Sequence, residues 1–292
     1  MIAGPTASGK TSLAIKIAKK FGGEIVSADS RQVYREMDIG TAKPGKKEMA
    51  AVPHHLIDIK NPDQNYTVAE YKRDAVKTMR EILKKKKIPV LIGGTGLYIK
   101  AVIDNLDIPE VEPDLKLRRE LEKEIEKHGL RRVFEKLTAL DPEAAYIVDP
   151  NNPRRIIRAL EVAIKTKKPF SAQRKAGRPL FDFIEIGIGR PKGVLDKRIN
   201  VRVDEMIKAG LVNEVKTLVK KYGRKPQSFD AIGYREIIDF IDGKISLKEA
   251  AELIKKNTRQ YAKRQMTWFR KDKRIHWVRN QTEAEKIVKK FL

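Results

Sequence analysis

Near its start the chain carries Gly4-Pro5-Thr6-Ala7-Ser8-Gly9-Lys10-Thr11, which fits the pattern G-x-x-x-x-G-K-[ST]. No other segment constrains the fold as much. Its glycines let the backbone curl until successive N–H groups converge on phosphate oxygens. Lys10 adds a point charge at the outer phosphates, and Thr11 offers a hydroxyl to Mg²⁺. The helix that follows aims its positive end at the same anion. The loop therefore needs a buried strand before it and a helix after it. The helix is legible, with Ala14, Ile17, Ala18 and Phe21 at helical spacing. The strand is not, because only Met1 to Ala3 precede the loop. The expectation is either a very short strand or a chain that lacks its first few residues, and the second reading is preferred. By itself the loop specifies a polyphosphate or pyrophosphate, not ATP.

Strand-like and helix-like stretches alternate over the first hundred residues. Glu24 to Ala28 reads as a strand that ends at Asp29. Thr67-Val68-Ala69-Glu70 is a capping box that opens a helix to about Lys86. Ile88 to Ile92 reads as a buried strand stopped by Gly93-Gly94, and Thr95 to Ile103 as a helix. This order predicts an α/β fold: a P-loop NTPase-like parallel sheet with helices on both faces. The middle differs. Pro109 to Pro113 looks like a linker, and helices follow it. Asp114 caps the first, which ends near His128-Gly129. Asp141 and Asn152 each stand before a helix-opening proline. Strand character returns from Phe181 to Ile188. Residues 109–180 thus read as a helical insertion domain, and residues 1–108 with 181–292 as the core. The last hundred residues are mostly helical. A second capping box, Ser246 to Glu249, opens a long helix towards Phe269, and Arg274 to Val278 reads as a closing strand.

Charge narrows the partner. Among 292 residues, 63 Lys and Arg face 39 Asp and Glu, a net charge of +24. Such a field attracts polyanions, nucleic acid first. Between Lys255 and Arg279 there are ten bases and one acid, with Tyr261, Trp268 and Trp277 among them. Aromatics in a basic groove can stack bases. A helix must bury one stripe, however, so Tyr261 and Trp268 are expected to face the core. Cysteine is absent, which excludes disulfides, zinc fingers, Fe–S clusters and thiol nucleophiles. That fits a reducing compartment, and a cytoplasmic location is expected. No apolar run approaches 18 residues, and the N-terminus has no signal-peptide pattern, so no membrane partner is expected. The four histidines, His54, His55, His128 and His276, show no metal-ligand spacing. His54 and His55 are expected to be structural.

Asp29 stands at the carboxyl end of a strand, where open parallel sheets bind ligands. A carboxylate there can act as a general base, ligate a metal or cap the next helix, and spacing leaves all three open. An NTPase usually shows a strand ending in a metal-binding aspartate. Here Ile88 to Ile92 ends in Gly93-Gly94-Thr95, so hydrolysis is weakly supported.

Several segments follow one another in a telling order. They are Gly4 to Thr11, Asp29-Ser30 with Tyr34, Met37 to Pro44, and Gly93-Gly94-Thr95 with Tyr98. Then come Asn152 to Arg155 with Arg158 to Val162, Gly233-Tyr234-Arg235, and Lys263 to Arg270. Together they closely resemble the tRNA dimethylallyltransferase (isopentenyltransferase) family over almost the whole chain. The resemblance implies transfer of a dimethylallyl group from dimethylallyl diphosphate to N6 of the adenosine 3′ of the anticodon, with release of pyrophosphate and help from Mg²⁺. It implies catalytic roles for Asp29, Thr95, Lys10 and Arg202, with Asp29 as the base and Arg202 directed at the diphosphate. Gly4, Pro5, Thr6, Ala7, Ser8, Gly9, Lys10 and Thr11 would hold the diphosphate, and Thr11 the metal. Asp29, Ser30, Arg31, Gln32 and Thr95 would also meet tRNA. So would Arg118, Arg154, Arg155, Ile156, Ile157 and Arg158 in the insertion. Asp230, Gly233, Tyr234, Arg235, Lys263, Arg264, Gln265, Trp268 and Arg270 complete the implied tRNA surface.

Arg154, Arg155 and Arg158 open a helix, where cations oppose its dipole, and an anionic partner would relieve that cost. A monomer is expected. Three other readings compete. A small P-loop kinase explains the loop but not the charge. An RNA-binding NTPase explains the charge but lacks the metal-binding strand end. A prenyltransferase acting on a free adenine nucleotide needs no such basic surface.

Overall fold

The computed structural model describes residues 1–109, 111–173 and 175–292. They divide into two units, residues 1–102 with 181–292, and residues 103–180. In the larger unit lie six strands: β1 (Ile2–Ala3), β2 (Gly23–Ala28), β3 (His54–His55), β4 (Ile88–Gly93), β5 (Ile186–Ile188) and β6 (His276–Val278). They form one sheet in the order β3-β2-β4-β1-β5-β6, and every pairing is parallel. This is the α/β class expected from the alternation. β1 lies inside the sheet, with Ile2 opposite both Ile92 and Ile186. β5 is shorter than the predicted Phe181–Ile188. Its neighbours β1 and β6 are two and three residues long, so Phe181 to Ile184 have no ladder to join. β3 was not predicted, since two residues after Pro53 are too few to show an alternation.

The first helices are α1 (Lys10–Phe21), α2 (Lys46–Ala51), α3 (Val68–Lys84) and α4 (Gly96–Ile103). The Thr67 hydroxyl accepts the Glu70 N–H, and Glu70 reaches back to the Thr67 N–H, closing the expected box at α3. In the smaller unit, α5 (Leu115–His128), α6 (Leu130–Leu140), α7 (Ala144–Ile147) and α8 (Pro153–Thr166) pack around Leu121, Val133, Leu137, Ile156 and Leu160. Asp114 and Asn152 cap α5 and α8 as expected. Asp141 does not N-cap a helix with its side chain; it is the residue that ends α6. It is buried, and its carboxylate accepts the Ser171 N–H and hydroxyl at 2.7 Å each. This unit begins at Ile103 rather than Pro109, because residues 105–106 bond back to residues 176–178. Of the predicted linker, Glu110 lies outside the described residues.

The chain closes with α9 (Lys192–Lys208), α10 (Leu211–Tyr222), α11 (Tyr234–Ile241), α12 (Leu247–Phe269) and α13 (Gln281–Phe291). Leu13, Ala14 and Ile17 of α1 and Ala284 and Val288 of α13 cover one sheet face, against Ile25, Val90, Ile92 and Ile186. Helix α3 packs on β2 and β4, and its Tyr71 stacks on Tyr98 of α4 at 4.0 Å between ring centres. Helices α9 to α12 share a second core with Val33, Tyr34 and Met37, which brings them beside the end of β2. No described helix is long and apolar enough to cross a membrane.

Candidate active site

The loop from Gly4 to Gly9 joins β1 directly to α1. Ala7 and Gly9 take left-handed backbone angles, φ 60° and 97°. Gly9 stands at the N-cap of α1, where a side chain would be strained. Three side chains brace the loop from outside. Gln265 Oε1 accepts the Thr6 N–H at 2.8 Å. Arg198 Nε donates to the Ala7 carbonyl at 2.8 Å, and Arg190 Nε to the Ser8 carbonyl at 3.3 Å. These anchors hold carbonyls on the arginine side, so the following N–H groups turn to the other side. Arg190, in the loop before α9, and Arg198, on α9, were not found by sequence reading, because a lone arginine in a loop or on a helix face looks solvated.

A cavity of about 80 Å³ opens beside the loop, bounded by Lys10, Thr11, Asp29, Gln32, Thr41 and Arg202, among others. A larger one, about 340 Å³, shares Lys10, Asp29 and Arg202 and extends to Ile199, Met206 and Tyr261. Burial pushes the Lys10 ammonium down to about 8; nearby Asp29 opposes this and Arg202 adds to it. Burial, then the neighbouring Arg198, also lowers the Arg202 guanidinium. Two desolvated cations facing one carboxylate make a cavity that gains by taking up an anion.

Asp29 follows β2. Its Oδ1 accepts the N–H groups of Arg31 and Gln32 at 2.9 and 3.3 Å, which closes a turn; no helix opens there, so the helix-capping alternative is not realised. Its Oδ2 makes no hydrogen bond among the described residues, and the residue bounds both cavities. Oδ1 thus fixes the turn while Oδ2 is left for base chemistry. Thr95 Oγ1 accepts the Ser30 N–H at 3.1 Å, tying the end of β4 to the end of β2. Arg31 Nη1 donates to the carbonyls of Gln227 and Ser228. Gln32 Nε2 donates to those of Thr41 and Ala42. The stretch 29–32 thus fastens three neighbouring segments.

The loop Met37 to Pro44 forms a wall of the cavities. Glu214 of α10 holds it, accepting the N–H groups of Asp38, Ile39 and Gly40 at 3.2, 2.7 and 3.1 Å and the Tyr234 hydroxyl at 2.6 Å. A Cβ on Gly40 would lie 2.4 Å from the Tyr234 ring, so this position admits only glycine. Glu214 was not singled out from the sequence, since nothing local distinguishes it from a solvated helix glutamate. Glu214→Ala is expected to lower unfolding free energy by about 2 kcal/mol in urea titration, as charged hydrogen bonds are lost together. Glu214→Gln, which keeps one acceptor, should lose less.

On α12, Ile254, Thr258, Tyr261 and Gln265 form one stripe facing the larger cavity. Gln265 also donates to the Gly94 carbonyl at 2.9 Å, so it links the phosphate loop to the end of β4. The core placement expected for the aromatics is corrected. Tyr261 lines the cavity, while Trp268, lying against Gly96, and Trp277 are 40% and 39% exposed. The buried stripe of α12 is made instead by Ala250, Ile254, Ala262, Gln265 and Phe269. Lys263, Arg264 and Arg270 are exposed. Asp230 and Gly233 bound the larger cavity, Tyr234 is buried, and Arg235 is exposed beside Glu236.

In the smaller unit, Arg118 grips the buried Glu161 carboxylate with two hydrogen bonds of 2.8 Å, and Arg158 binds the same group. Burial works to raise Glu161, but Arg118, Arg158 and the Asp114 N–H hold it down at about 2. Arg154 and Arg155 are exposed at the start of α8. Ile156 and Ile157 are core residues, 0% and 7% exposed, so their side chains position the arginines rather than face a partner. His55 bonds to the buried Glu24, consistent with the structural role expected of it.

Comparison with known proteins agrees with this geometry. The IPP transferase family model matches residues 32–272. The chain is 47% identical over 296 residues to the tRNA dimethylallyltransferase of Acetivibrio thermocellus, covering 99% of this chain and 94% of that one. It is 46% identical to the tRNA dimethylallyltransferase of a Thermoanaerobacter species, covering 100% and 96%. Among solved structures it resembles the full-length tRNA isopentenylpyrophosphate transferase of Bacillus halodurans, with TM-score 0.73 and 41% identity over 99% of this chain and 93% of that chain. It also resembles a eukaryotic dimethylallyltransferase acting on tRNA, with TM-score 0.75 and 30% identity over 91% and 68%. The family model starts after the phosphate loop and Asp29, but the two curated relatives and the Bacillus halodurans structure, matched over 99–100% of this chain, span both.

Proposed function

The chain belongs to the IPP transferase family, beside the tRNA dimethylallyltransferases, and from that premise we infer that it prenylates tRNA. It moves a dimethylallyl group from dimethylallyl diphosphate to N6 of the adenosine 3′ of the anticodon, releasing pyrophosphate. The observation that carries the reading is the meeting of Lys10, Arg202 and Asp29 in one cavity at the carboxyl edge of the sheet.

In this reading the allylic C–O bond breaks and its electron pair leaves on the diphosphate. The loop N–H groups, Lys10 and Arg202 hold that charge. The N6 amino group attacks the allylic carbon, and Asp29 Oδ2 takes the N6 proton as the C–N bond forms. Thr95 fixes the backbone beside Asp29 through Ser30. Mg²⁺ fits the donor set. The Thr11 hydroxyl, a hard oxygen, would be its protein ligand, leaving Asp29 Oδ2 free as the base. Mg²⁺ characteristically takes one or two protein ligands, with substrate phosphates and water supplying the rest. Bound there, it would neutralise charge on the departing pyrophosphate.

The adenosine must leave its stack to reach the cavity, at modest cost in a single-stranded loop. The exposed bases of α12 and the segment after it in the larger unit, and Arg154 and Arg155 of α8 in the smaller, are each suited to tRNA phosphates. In this reading the enzyme works as a cytoplasmic monomer. Substituting Lys263, Arg264 and Arg270 together by Gln is expected to weaken tRNA binding. It should also flatten the salt slope by about 2, at roughly 0.7–0.9 per phosphate contact. An unchanged slope would place the tRNA elsewhere. The reading itself is tested by following pyrophosphate release with donor and tRNA, against NTP hydrolysis with RNA. Donor-dependent release supports it, and RNA-stimulated NTP hydrolysis without donor turnover overturns it.

A further inference from the structure

The ladder between β1 and β4 ends at Ala3 opposite Gly93, and the ladder between β2 and β4 ends at Ala28 opposite the same glycine. Beyond those rungs the strands turn into the segments that carry the site: the phosphate loop, Asp29-Ser30 and Gly94-Thr95. Ladder hydrogen bonds no longer fix their spacing. Past β2 and β4 the spacing is fixed by Thr95. Its N–H donates to the Ala28 carbonyl at 3.2 Å, and its Oγ1 accepts the Ser30 N–H at 3.1 Å. Past β1 and β4 the link is a side chain of α12. Gln265 Oε1 accepts the Thr6 N–H at 2.8 Å, and its Nε2 donates to the Gly94 carbonyl at 2.9 Å. An N–H only donates and a carbonyl only accepts, so these partners fix which end of the amide faces which segment. The amide acts as a peptide group does in a ladder, accepting on one side and donating on the other. The residue is 6% exposed, and Ala262 and Phe269 flank it in the buried stripe of α12. Its neighbours Lys263, Arg264 and Trp268 are exposed, so in this segment the Gln265 side chain is turned to the loop rather than offered to RNA. A Cβ on Gly94 would lie 2.3 Å from Gln265 Nε2, so glycine there leaves the room that the amide fills.

Transfer needs the departing diphosphate and the accepting carboxylate at a set separation, with the allylic carbon and N6 between them. The phosphate loop holds the first, and Asp29 is the second. From the loop a path of hydrogen bonds runs through Gln265 to Gly94, then through Thr95 to Ser30, the neighbour of Asp29. We propose that Gln265 is a positioning residue: its carboxamide, standing in for a missing rung between β1 and β4, sets the distance from the diphosphate to Asp29 and so governs kcat more than donor binding. The inference rests on the prenyl-transfer reading, which names the two groups whose separation matters. Reacting atoms must approach to about 3–3.5 Å, and a misplacement of about 1 Å costs on the order of 10²-fold. The diphosphate itself is still met by the loop N–H groups, Lys10 and Arg202, none of which Gln265 replaces.

The test compares kcat for labelled dimethylallyl diphosphate and tRNA with calorimetric binding of inorganic pyrophosphate, in the full chain, beside thermal unfolding. Gln265→Met keeps the volume and removes both hydrogen bonds. It is expected to lower kcat about 10²-fold, while the pyrophosphate dissociation constant rises by less than about tenfold. Gln265→Glu keeps the acceptor for Thr6, but its carboxylate faces the Gly94 carbonyl; once protonated, it donates there as the amide does. Burial raises such a carboxyl, so its kcat relative to the wild type should climb as pH falls from about 8 to about 6. Gly94→Ala reaches the same amide from the other side and should repeat the kcat loss. An unchanged kcat in Gln265→Met overturns the proposal, as does a Gln265→Glu ratio that stays flat with pH. So does an equal loss of kcat and pyrophosphate affinity that tracks a lowered unfolding temperature, since that marks a loosened loop only. A wild-type chain that binds pyrophosphate but transfers no label overturns the prenyl-transfer reading, and this inference with it.

Discussion

Asp29→Ala is expected to lower kcat by about 10²–10⁴-fold, the range for loss of a general base. The dissociation constant for the donor diphosphate should move far less. The adenine amino group is a poor nucleophile because its lone pair is delocalised, so a proton acceptor matters most as the C–N bond forms. Asp29 also accepts the Arg31 and Gln32 N–H groups, so alanine removes two functions at once. Asp29→Asn separates them. Its carbonyl oxygen keeps the turn, while its amide cannot take a proton. The account expects Asn and Ala to be similarly slow, with Asn nearer the wild type in unfolding temperature. If Asn restores turnover, Asp29 is a turn residue and the base lies elsewhere.

Lys10→Met is expected to lower kcat/KM by about 10²–10³-fold and to weaken donor binding with it. Lys10 is half-buried at the end of the phosphate loop, so its charge acts on bound and departing diphosphate alike. Its position also sets a pH dependence. In the free protein the group titrates at about 8 rather than its ordinary 10.5. The donor binds the protonated form, so donor affinity should fall as pH rises through about 8. Lys10→Met should show no such fall. Stability runs the other way. Between about 8 and 10.5 the unfolded chain holds a proton that the folded chain has lost, so unfolding free energy from this group rises with pH. Binding isotherms from pH 7 to 9.5 and urea titrations over the same range check both signs. A donor affinity that stays flat across pH 8 would mean Lys10 does not meet the diphosphate.

The elements that were legible in the sequence are those whose signals are local. The phosphate loop, α1, β2 and the capping boxes at Thr67 and Ser246 each fit within a few residues, and each is in place. What could not be read is what depends on pairing at long range. β3 is two residues, and only its ladder with β2 defines it. Glu214 looks like any helix glutamate until the loop 38–40 is laid against it. Arg190 and Arg198 look solvated until the phosphate loop presents its carbonyls. Asp141 precedes a proline, as a cap should, yet folding delivers Ser171 to it instead. Tyr261 and Trp268 were assigned to the core by helical economy, which ignores that α12 lines a cavity along part of its length. The resemblance supplied what local pattern lacked, since it set Asp29, Thr95 and Arg202 in one reaction. The fold brings Asp29 and Arg202 to one cavity and fastens Thr95 beside them through Ser30.

The central claim is that this chain forms a bond between an allylic carbon and N6 of one adenosine. The direct measurement is incubation with radiolabelled dimethylallyl diphosphate, Mg²⁺ and unmodified tRNA, followed by digestion and nucleoside analysis. The account predicts label on N6 of the adenosine 3′ of the anticodon. Absence of label from tRNA, with a Bacillus halodurans relative active alongside, would contradict it.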